Sequence, residues 1–126
     1  MFTLNQITLI GFTGSEAEVH HTQNGEVVAV VSVATKESWN DAEGEWQSRT
    51  DWHRVVTFGK LAEYTRTLAK GSYVMVQGAV RTREFERDGM RQRITEVRAD
   101  SVGKLDRAER AADQDCDPDA NEASGL

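Results

Sequence analysis

The sequence is poor in the residues that mark secreted and membrane proteins. Its 126 residues include one cysteine and one proline, and no apolar run approaches the roughly 18 residues that a membrane-spanning helix needs. The lone Cys116 has no partner in the chain, which argues against a disulfide framework and fits a reducing compartment. The first residues, MFTLNQITLIG, lack the basic segment and cleavage site of a secretion signal. We therefore expect a cytoplasmic protein without membrane contact.

Motifs for catalysis and metal binding are also missing. The sequence has no glycine-rich phosphate loop, no G-x-S-x-G and no H-E-x-x-H. The neighbours His20 and His21 would point to opposite faces of a strand, and no histidine or cysteine pair has zinc spacing. The acidic residues do not pair into a site for metal-assisted phosphodiester cleavage. We expect no enzyme activity, no metal and no other cofactor.

The net charge of −6 is concentrated at one end of the chain. Residues 1–105 carry 13 Lys/Arg and 14 Asp/Glu, whereas residues 106–126 carry 2 Arg and 7 Asp/Glu. The nearly neutral body can still carry a basic surface, so the overall acidity does not exclude nucleic acid. The last segment has almost no large apolar side chains to bury. The sequence thus predicts one domain over 1–105 and a disordered acidic tail over 106–126.

Hydrophobic patterning predicts a mainly β domain. Leu61, Tyr64 and Leu68 recur at helical spacing before Gly71, where a helix commonly ends. The polar segment 36–48 is either an exposed loop or a long hairpin tip. Strands are indicated at 6–12, 27–35, 49–58, 72–85 and 92–102, with turns at Asn24-Gly25 and Asp88-Gly89. Three strands, a helix and two strands is the order of an OB-fold, a five-stranded Greek-key barrel that binds oligonucleotides or oligosaccharides.

The segment TDWHRVVTFG, residues 50–59, carries an unusual mixture of side chains. Alternation along a strand places Trp52, Arg54 and Phe58 on one face and His53 on the other. Aromatic rings offer surfaces on which bases stack, and arginine binds phosphate or stacks on a base. A half-buried strand with arginine lying over tryptophan would give the same pattern. The strand alone leaves both interpretations open.

Other aromatic and basic residues favour the first interpretation. Trp39 and Trp46 occur in the polar segment 36–48, where tryptophan has no evident packing role. Residues 81–98 contain six arginines against four acidic residues, and Phe85 lies among them. Basic and aromatic side chains in alternation are what a single strand of nucleic acid requires.

These residues resemble bacterial single-stranded DNA-binding protein, the SSB family. The similar stretches are NQITLIGFTG (5–14), NGEVVAVVSVATKESW (24–39), TDWHRVVTFGKLAE (50–63) and KGSYVMVQGAVRTREF (70–85). The likeness covers about residues 1–104. It implies an OB-fold homotetramer that binds and protects single-stranded DNA in replication, recombination and repair, without catalysis.

The resemblance also implies roles for individual residues. His53 matches a position at a subunit interface, and strand alternation independently places it opposite the stacking aromatics. The positions that stack on bases in the family match Trp39, Trp52, Phe58 and Phe85, and the basic positions along the DNA path match Arg54, Lys60, Lys70, Arg81 and Arg83.

This sequence departs from the family in two places. Phe85 stands where the best-known members carry tryptophan, and Glu84 stands where a basic residue is common. Family tails are long and end in an acidic cluster followed by Pro-Phe, which recruits replication and repair enzymes. This chain ends Asn-Glu-Ala-Ser-Gly-Leu, so the resemblance leaves those protein partners open.

Two other functions compete with DNA binding. An OB-fold protein adaptor, similar to primosomal relatives of this family, would contact mainly proteins and would not need four aromatics together. A nuclease would cut single strands with a divalent metal, and the sequence offers it no paired carboxylates.

Overall fold

The computed structural model describes residues 1–106, which form six strands and one short helix. The disordered acidic tail predicted over 106–126 lies outside the described part, apart from its first residue, Asp106. The elements are β1 (Ile7–Thr13), β2 (Glu18–His21), β3 (Val27–Asn40), β4 (Trp46–Phe58), α1 (Gly59–Thr65), β5 (Tyr73–Arg87) and β6 (Met90–Lys104).

The strands close into a five-stranded barrel. The order around the barrel is β1-β5-β6-β4-β3, and a further pairing of β1 with β3 completes the ring. The short β2 pairs with another part of β3, so β1 and β2 act as one interrupted strand. The predicted OB-fold, with five long strands and a helix between the third and fourth, is confirmed. The sequence prediction missed β2 because its four residues, EVHH, carry a single apolar side chain.

Gly11 allows the barrel to close. It lies on β1 where that strand approaches β3, and a Cβ atom there would overlap the carbonyl oxygen of Ala34. The two pairs that join the strands, Phe12 with Ala34 and Thr13 with Val33, follow immediately. A larger residue at position 11 would therefore force β1 away from β3.

The barrel interior is filled mainly by β-branched side chains. Val33 and Val55 have no exposed surface, and Val74 and Val76 retain 1% each. The strand predicted at 27–35 contributes to this core, because Val31 and Val33 enter it while alternate residues face outward. The buried core consists of Leu9, Val31, Val33, Val55, Leu68, Val74, Val76, Val97 and Ala99.

The helix is shorter than its sequence pattern predicts. It ends at Thr65, and Tyr64, expected on the buried face, is 40% exposed. Thr65 Oγ1 donates to the carbonyl of Leu61, and after the Arg66 amide, which still bonds to Ala62, the amides of Thr67 and Leu68 form i to i−3 bonds. Such threonine bonds compete with helix continuation. Leu68 still enters the core, but from the turn that follows the helix.

The polar segment 36–48 is a hairpin and not a loop. β3 and β4 pair in unbroken register up to Asn40 and Trp46, so only residues 41–45 are unpaired. Of the two alternatives that the sequence left open, the long hairpin is correct. It extends from the barrel as a two-stranded ribbon whose residues 36–40 and 46–52 are exposed.

The last described residues remain attached to the barrel. The amide of Leu105 donates to the carbonyl of Tyr73 at 2.7 Å, and the Tyr73 amide donates to Oδ1 of Asp106 at 2.9 Å. The domain boundary after residue 105 stays a prediction. Within residues 1–106, no helix has the length and apolar character needed to cross a membrane.

Candidate nucleic-acid interface

The two faces of β4 separate as its sequence predicts. Val55 and Thr57 have no exposed surface and point into the barrel, whereas Trp52 is 61% exposed. Arg54 and Phe58 are half-buried on the outer face. The face that combines aromatic and basic side chains is therefore an outer surface of the barrel.

A groove of about 460 Å³ runs across this outer surface. Its floor is apolar, with Val28, Val30, Val56 and the ring of Phe58. Strand pairing explains the arrangement, since Val28 lies opposite Phe58 and Val30 opposite Val56. The polar lining consists of His20, His21, Thr22, Arg54, Arg81, Thr82, Arg83, Glu96 and Arg98.

Glu96 binds an arginine on each side of its strand. It lies on β6, between β4 and β5; Nε of Arg54 donates to its Oε2 and Nε of Arg83 to its Oε1, both at 2.9 Å. Burial raises the pKa of this carboxyl, but the hydrogen bonds and charges of Arg83 and Arg54 outweigh burial, so the net pKa lies below its usual value. Glu96 is thus ionised at neutral pH, in a groove whose described lining also includes four arginines.

Arg98 is a groove residue that the sequence analysis did not identify. Its Cζ lies 4.3 Å from the centre of the Phe58 ring, in a cation–π arrangement. The ring predicted to stack on bases is therefore covered on one side by a guanidinium. A signal was present, because Glu96 and Arg98 alternate with the apolar Val97 and Ala99, a pattern typical of a strand with one polar face.

Trp52 lies beside the groove and not within it. It lines a smaller hollow of about 220 Å³ together with Arg54 and Glu96, which also line the groove. Its ring rests against Gly14, where a Cβ atom would overlap Cζ3 and crowd Cη2 of the indole. No pattern in the sequence indicates that Gly14 supports this tryptophan.

Trp39 does not join Trp52 on one face. Trp52 lies opposite Ala34 and Trp46 opposite Asn40, in a register without shifts. Alternation then places Trp46 on the same ribbon face as Trp52, and Trp39 on the other face. The side chains of Trp39 and Trp52 therefore lie on opposite faces of the ribbon; Trp39 is 43% exposed, and its role in stacking stays a prediction.

Asp41 organises the tip of the same ribbon. Its Oδ1 accepts from the amides of Glu43 and Glu45, both at 2.9 Å, and its Oδ2 accepts from Nε2 of Gln47 at 3.0 Å. The bond from the Glu45 amide contributes most to holding the pKa of Asp41 below its usual value. Gly44 adopts a positive φ of 80° in this turn. These bonds fix the hairpin end between Trp39 and Trp46.

The remaining predicted residues, Phe85, Lys60 and Lys70, are not among the groove's described lining residues. Phe85 shares a face of β5 with Arg81 and Arg83, and its ring centre lies 5.8 Å from the Arg83 guanidinium. Lys60 and Lys70 are exposed and do not line the groove. The roles that the resemblance gives these residues in DNA binding stay predictions.

Glu84 points away from the groove. Arg83 and Phe85, its neighbours on β5, point to the other face of the strand. The carboxylate of Glu84 lies 3.5 Å from Arg91 and 3.6 Å from Arg93. The departure from the family at this position is thus partly offset by two arginines on the same face. Its effect on the groove itself is smaller than its sequence position suggests.

His53 lies on the ribbon face opposite Trp52, as predicted. Its Nε2 lies 2.9 Å from Oγ1 of Thr35 on the neighbouring strand. It is half-buried in this single chain. Its place at a subunit interface stays a prediction. Within residues 1–106, no group of three or more His, Cys, Asp or Glu side chains is arranged to hold a metal ion.

The closed OB barrel and its groove define the class of protein. A five-stranded barrel with a basic outer groove over an apolar floor is typical of OB-fold domains that bind oligonucleotides. Comparison with protein families agrees, because residues 4–105 match the single-strand binding protein family, SSB. The chain belongs to this family.

Two solved structures are similar over most of the described chain. The SSB of Plasmodium falciparum, solved in complex with single-stranded DNA, is 35% identical with a TM-score of 0.77, covering 84% of this chain and 98% of that one. A deletion mutant of the single-stranded DNA-binding protein from Thermus aquaticus is 29% identical with a TM-score of 0.73. That match covers 82% of this chain and 51% of the Thermus aquaticus chain.

Proposed function

We propose that this chain binds single-stranded DNA without sequence preference and protects it during replication, recombination and repair. The observation that carries the proposal is the groove, where arginines surround an apolar floor directly beside an exposed tryptophan. Family membership and the likeness to an SSB solved with single-stranded DNA support it. The protein acts by binding alone, without catalysis.

Each part of the groove suits one part of a nucleotide. Phosphates bind the guanidinium groups of Arg54, Arg81 and Arg83, and counterion release adds to affinity. Bases stack on Trp52, which contributes about 1–3 kcal/mol per base and tolerates any sequence. The guanidinium of Arg98 already covers one side of the Phe58 ring. Because arginine itself stacks on bases, a base at this place stacks on Arg98. Binding is therefore insensitive to base identity.

The chain is proposed to assemble as a homotetramer. An apolar patch supports this: Ile10 and Phe12 on β1 are 48% and 46% exposed, and Tyr73 on β5 is 38% exposed. The Phe12 and Tyr73 rings pack 4.7 Å apart on the same outer face. A contiguous exposed apolar surface of this kind is typical of a protein interface. The cytoplasmic, nucleoid-associated location and any replication or repair protein partners stay predictions.

Titration with oligo(dT) tests DNA binding. Because an indole that stacks on a base loses fluorescence, we expect quenching of the intrinsic tryptophan signal and a salt-dependent dissociation constant. Trp52→Ala should weaken binding by about 5- to 150-fold, the equivalent of one lost stacking contact. Mass measurement with and without oligo(dT) of increasing length reports the assembly.

Trp46→Ala is the matched control. It removes a tryptophan that is 72% exposed on the same ribbon face but beyond the groove, so it should reduce affinity less than Trp52→Ala. Absence of binding at low salt by the wild-type protein would refute the proposal. Equal affinities of wild type and Trp52→Ala would favour the protein adaptor.

A further inference from the structure

Glu96 is an acidic residue at the base of a groove that otherwise favours anions. Its side chain is only 10% exposed, whereas those of Arg54 and Arg83 are 39% and 53% exposed. The carboxylate therefore lies beneath two guanidinium groups that reach outward. A negative charge at this place repels a phosphate in the groove and so weakens DNA binding. A favourable effect of Glu96 on the same groove would offset this repulsion.

The geometry of the two ion pairs suggests that role. Both bonds to Glu96 are made by Nε, the guanidinium nitrogen nearest the main chain. The arginines come from strands on opposite sides of β6, and each uses a different carboxylate oxygen. An Nε bond holds the plane of the guanidinium while the terminal nitrogens extend towards solvent. Those nitrogens form the fork that binds phosphate.

We propose that Glu96 is a positioning residue for DNA binding, which fixes Arg54 and Arg83 in the conformation that receives phosphate. Long flexible side chains lose conformational freedom when they bind a ligand, and fixing them beforehand reduces that loss. The inference rests on the proposed function, because it concerns the same groove. It assigns a favourable effect to a residue whose charge alone would weaken binding.

The two effects of Glu96 have opposite signs and can be separated. Glu96→Gln removes the charge, keeps one weaker acceptor for one arginine and loses the bond to the other, because the amide nitrogen only donates. If positioning dominates, its affinity for oligo(dT) should fall about tenfold. If the charge dominates, its affinity should rise at low salt. Affinity equal to or above that of wild type would overturn the proposal.

Glu84→Gln is the matched control for the lost charge. Glu84 lies on the same β5–β6 hairpin, and its partners Arg91 and Arg93 lie outside the groove. This variant should bind oligo(dT) as tightly as wild type or slightly more tightly. A loss equal to that of Glu96→Gln would show that affinity depends on the integrity of the hairpin in general and not on the bonds of Glu96, and would overturn the proposal.

Two further variants test positioning directly. Glu96→Asp keeps the charge but is one methylene shorter, so it cannot reach both Nε atoms; its affinity should also fall, whereas the charge effect predicts no change. In an Arg54→Lys, Arg83→Lys background, which lacks Nε donors, Glu96→Gln should raise affinity instead of lowering it. The same loss in that background would contradict the proposal.

Folding and function have separate readouts. Thermal melts of each variant establish that the barrel is intact, and Glu96→Asp provides the test if Glu96→Gln does not fold. Wild-type protein that fails to bind oligo(dT) would refute the proposed function itself. Wild-type protein that binds, with Glu96→Gln and Glu96→Asp binding equally well, would refute only the role of Glu96.

Discussion

Trp52 keeps most of its surface exposed while its ring rests on the backbone of Gly14. An exposed indole without such support would sample several rotamers and lose that freedom on stacking with a base. Gly14 is suited to this role because it has no Cβ to displace the ring. Its amide also donates to the carbonyl of Ser32 at 2.9 Å, which fixes the supporting backbone.

Gly14→Ala should displace Trp52 and weaken binding to oligo(dT) by a few-fold. The added methyl would overlap the six-membered ring of the indole, so the ring must move. Fluorescence of the free protein should change as well, since the ring leaves its present surroundings. In a Trp52→Ala background the same substitution should have little effect on affinity, because the two changes act through one group.

Gly103→Ala is the control for this prediction. A Cβ atom at Gly103, on β6, meets nothing within 4 Å, so the substitution adds a methyl without a clash. Its affinity should equal that of wild type. Equal affinities of Gly14→Ala and Gly103→Ala would contradict the supporting role of Gly14.

Sequence patterns identified some groove residues and missed others for a physical reason. Alternation along one strand was enough to separate Trp52 and Arg54 from His53, because it depends only on the backbone repeat. Phe58 and Arg98 are 40 positions apart in the chain and lie on different strands, β4 and β6. The placement of Arg98 over Phe58 therefore depends on the register between these two strands. Alternation within a strand gives no information about that register.

At the scale of elements, the β3–β4 hairpin extends beyond the barrel as a two-stranded ribbon. The ribbon residues 36–40 and 46–52 are exposed, so the ribbon relies on its own ladder and on its turn. Asp41 supplies three of the bonds that close this turn. The orientation of Trp46, next to the turn, therefore depends on Asp41.

Asp41→Ala should loosen the hairpin end and leave the barrel intact. We expect faster amide hydrogen exchange at residues 43–47, by a few-fold, with little change in the thermal unfolding midpoint. Glu43→Ala, which keeps the Asp41 carboxylate and its bonds, is the matched control and should exchange as wild type does. Unchanged exchange in Asp41→Ala would show that the ladder alone holds the ribbon.

The helix illustrates the limit of reading single elements from sequence. The spacing of Leu61, Tyr64 and Leu68 fits a helix, but the helix ends at Thr65. The bond from the Thr65 hydroxyl to Leu61 and the following turn are local, yet the burial of Leu68 depends on where the barrel lies. A pattern of apolar spacing does not distinguish a helix residue from a turn residue that enters the same core.

At the scale of the whole molecule, the charge is divided between a nearly neutral body and an acidic terminal segment. Residues 107–126 contain 6 acidic residues and 2 arginines. A tethered acidic segment competes with DNA for basic side chains, and salt screens this competition.

Deletion of residues 107–126 should raise affinity for oligo(dT) at low salt and have little effect at high salt. Asp106 is retained because its carboxylate accepts a hydrogen bond from Tyr73. The dissociation constant measured from low to high salt tests this. A chain whose six acidic tail residues are changed to amides should behave like the deletion; salt curves identical to wild type would contradict the prediction.

The sequence by itself determined the class of the fold, the two faces of β4 and the segregation of charge, because each depends on composition or on a short-range repeat. Only the tertiary structure decided which residues meet. It placed Glu96 between Arg54 and Arg83, Arg98 over Phe58, and Trp39 away from Trp52. These contacts join strands that are distant in sequence, and barrel closure and register, which are global properties, set the distances between them.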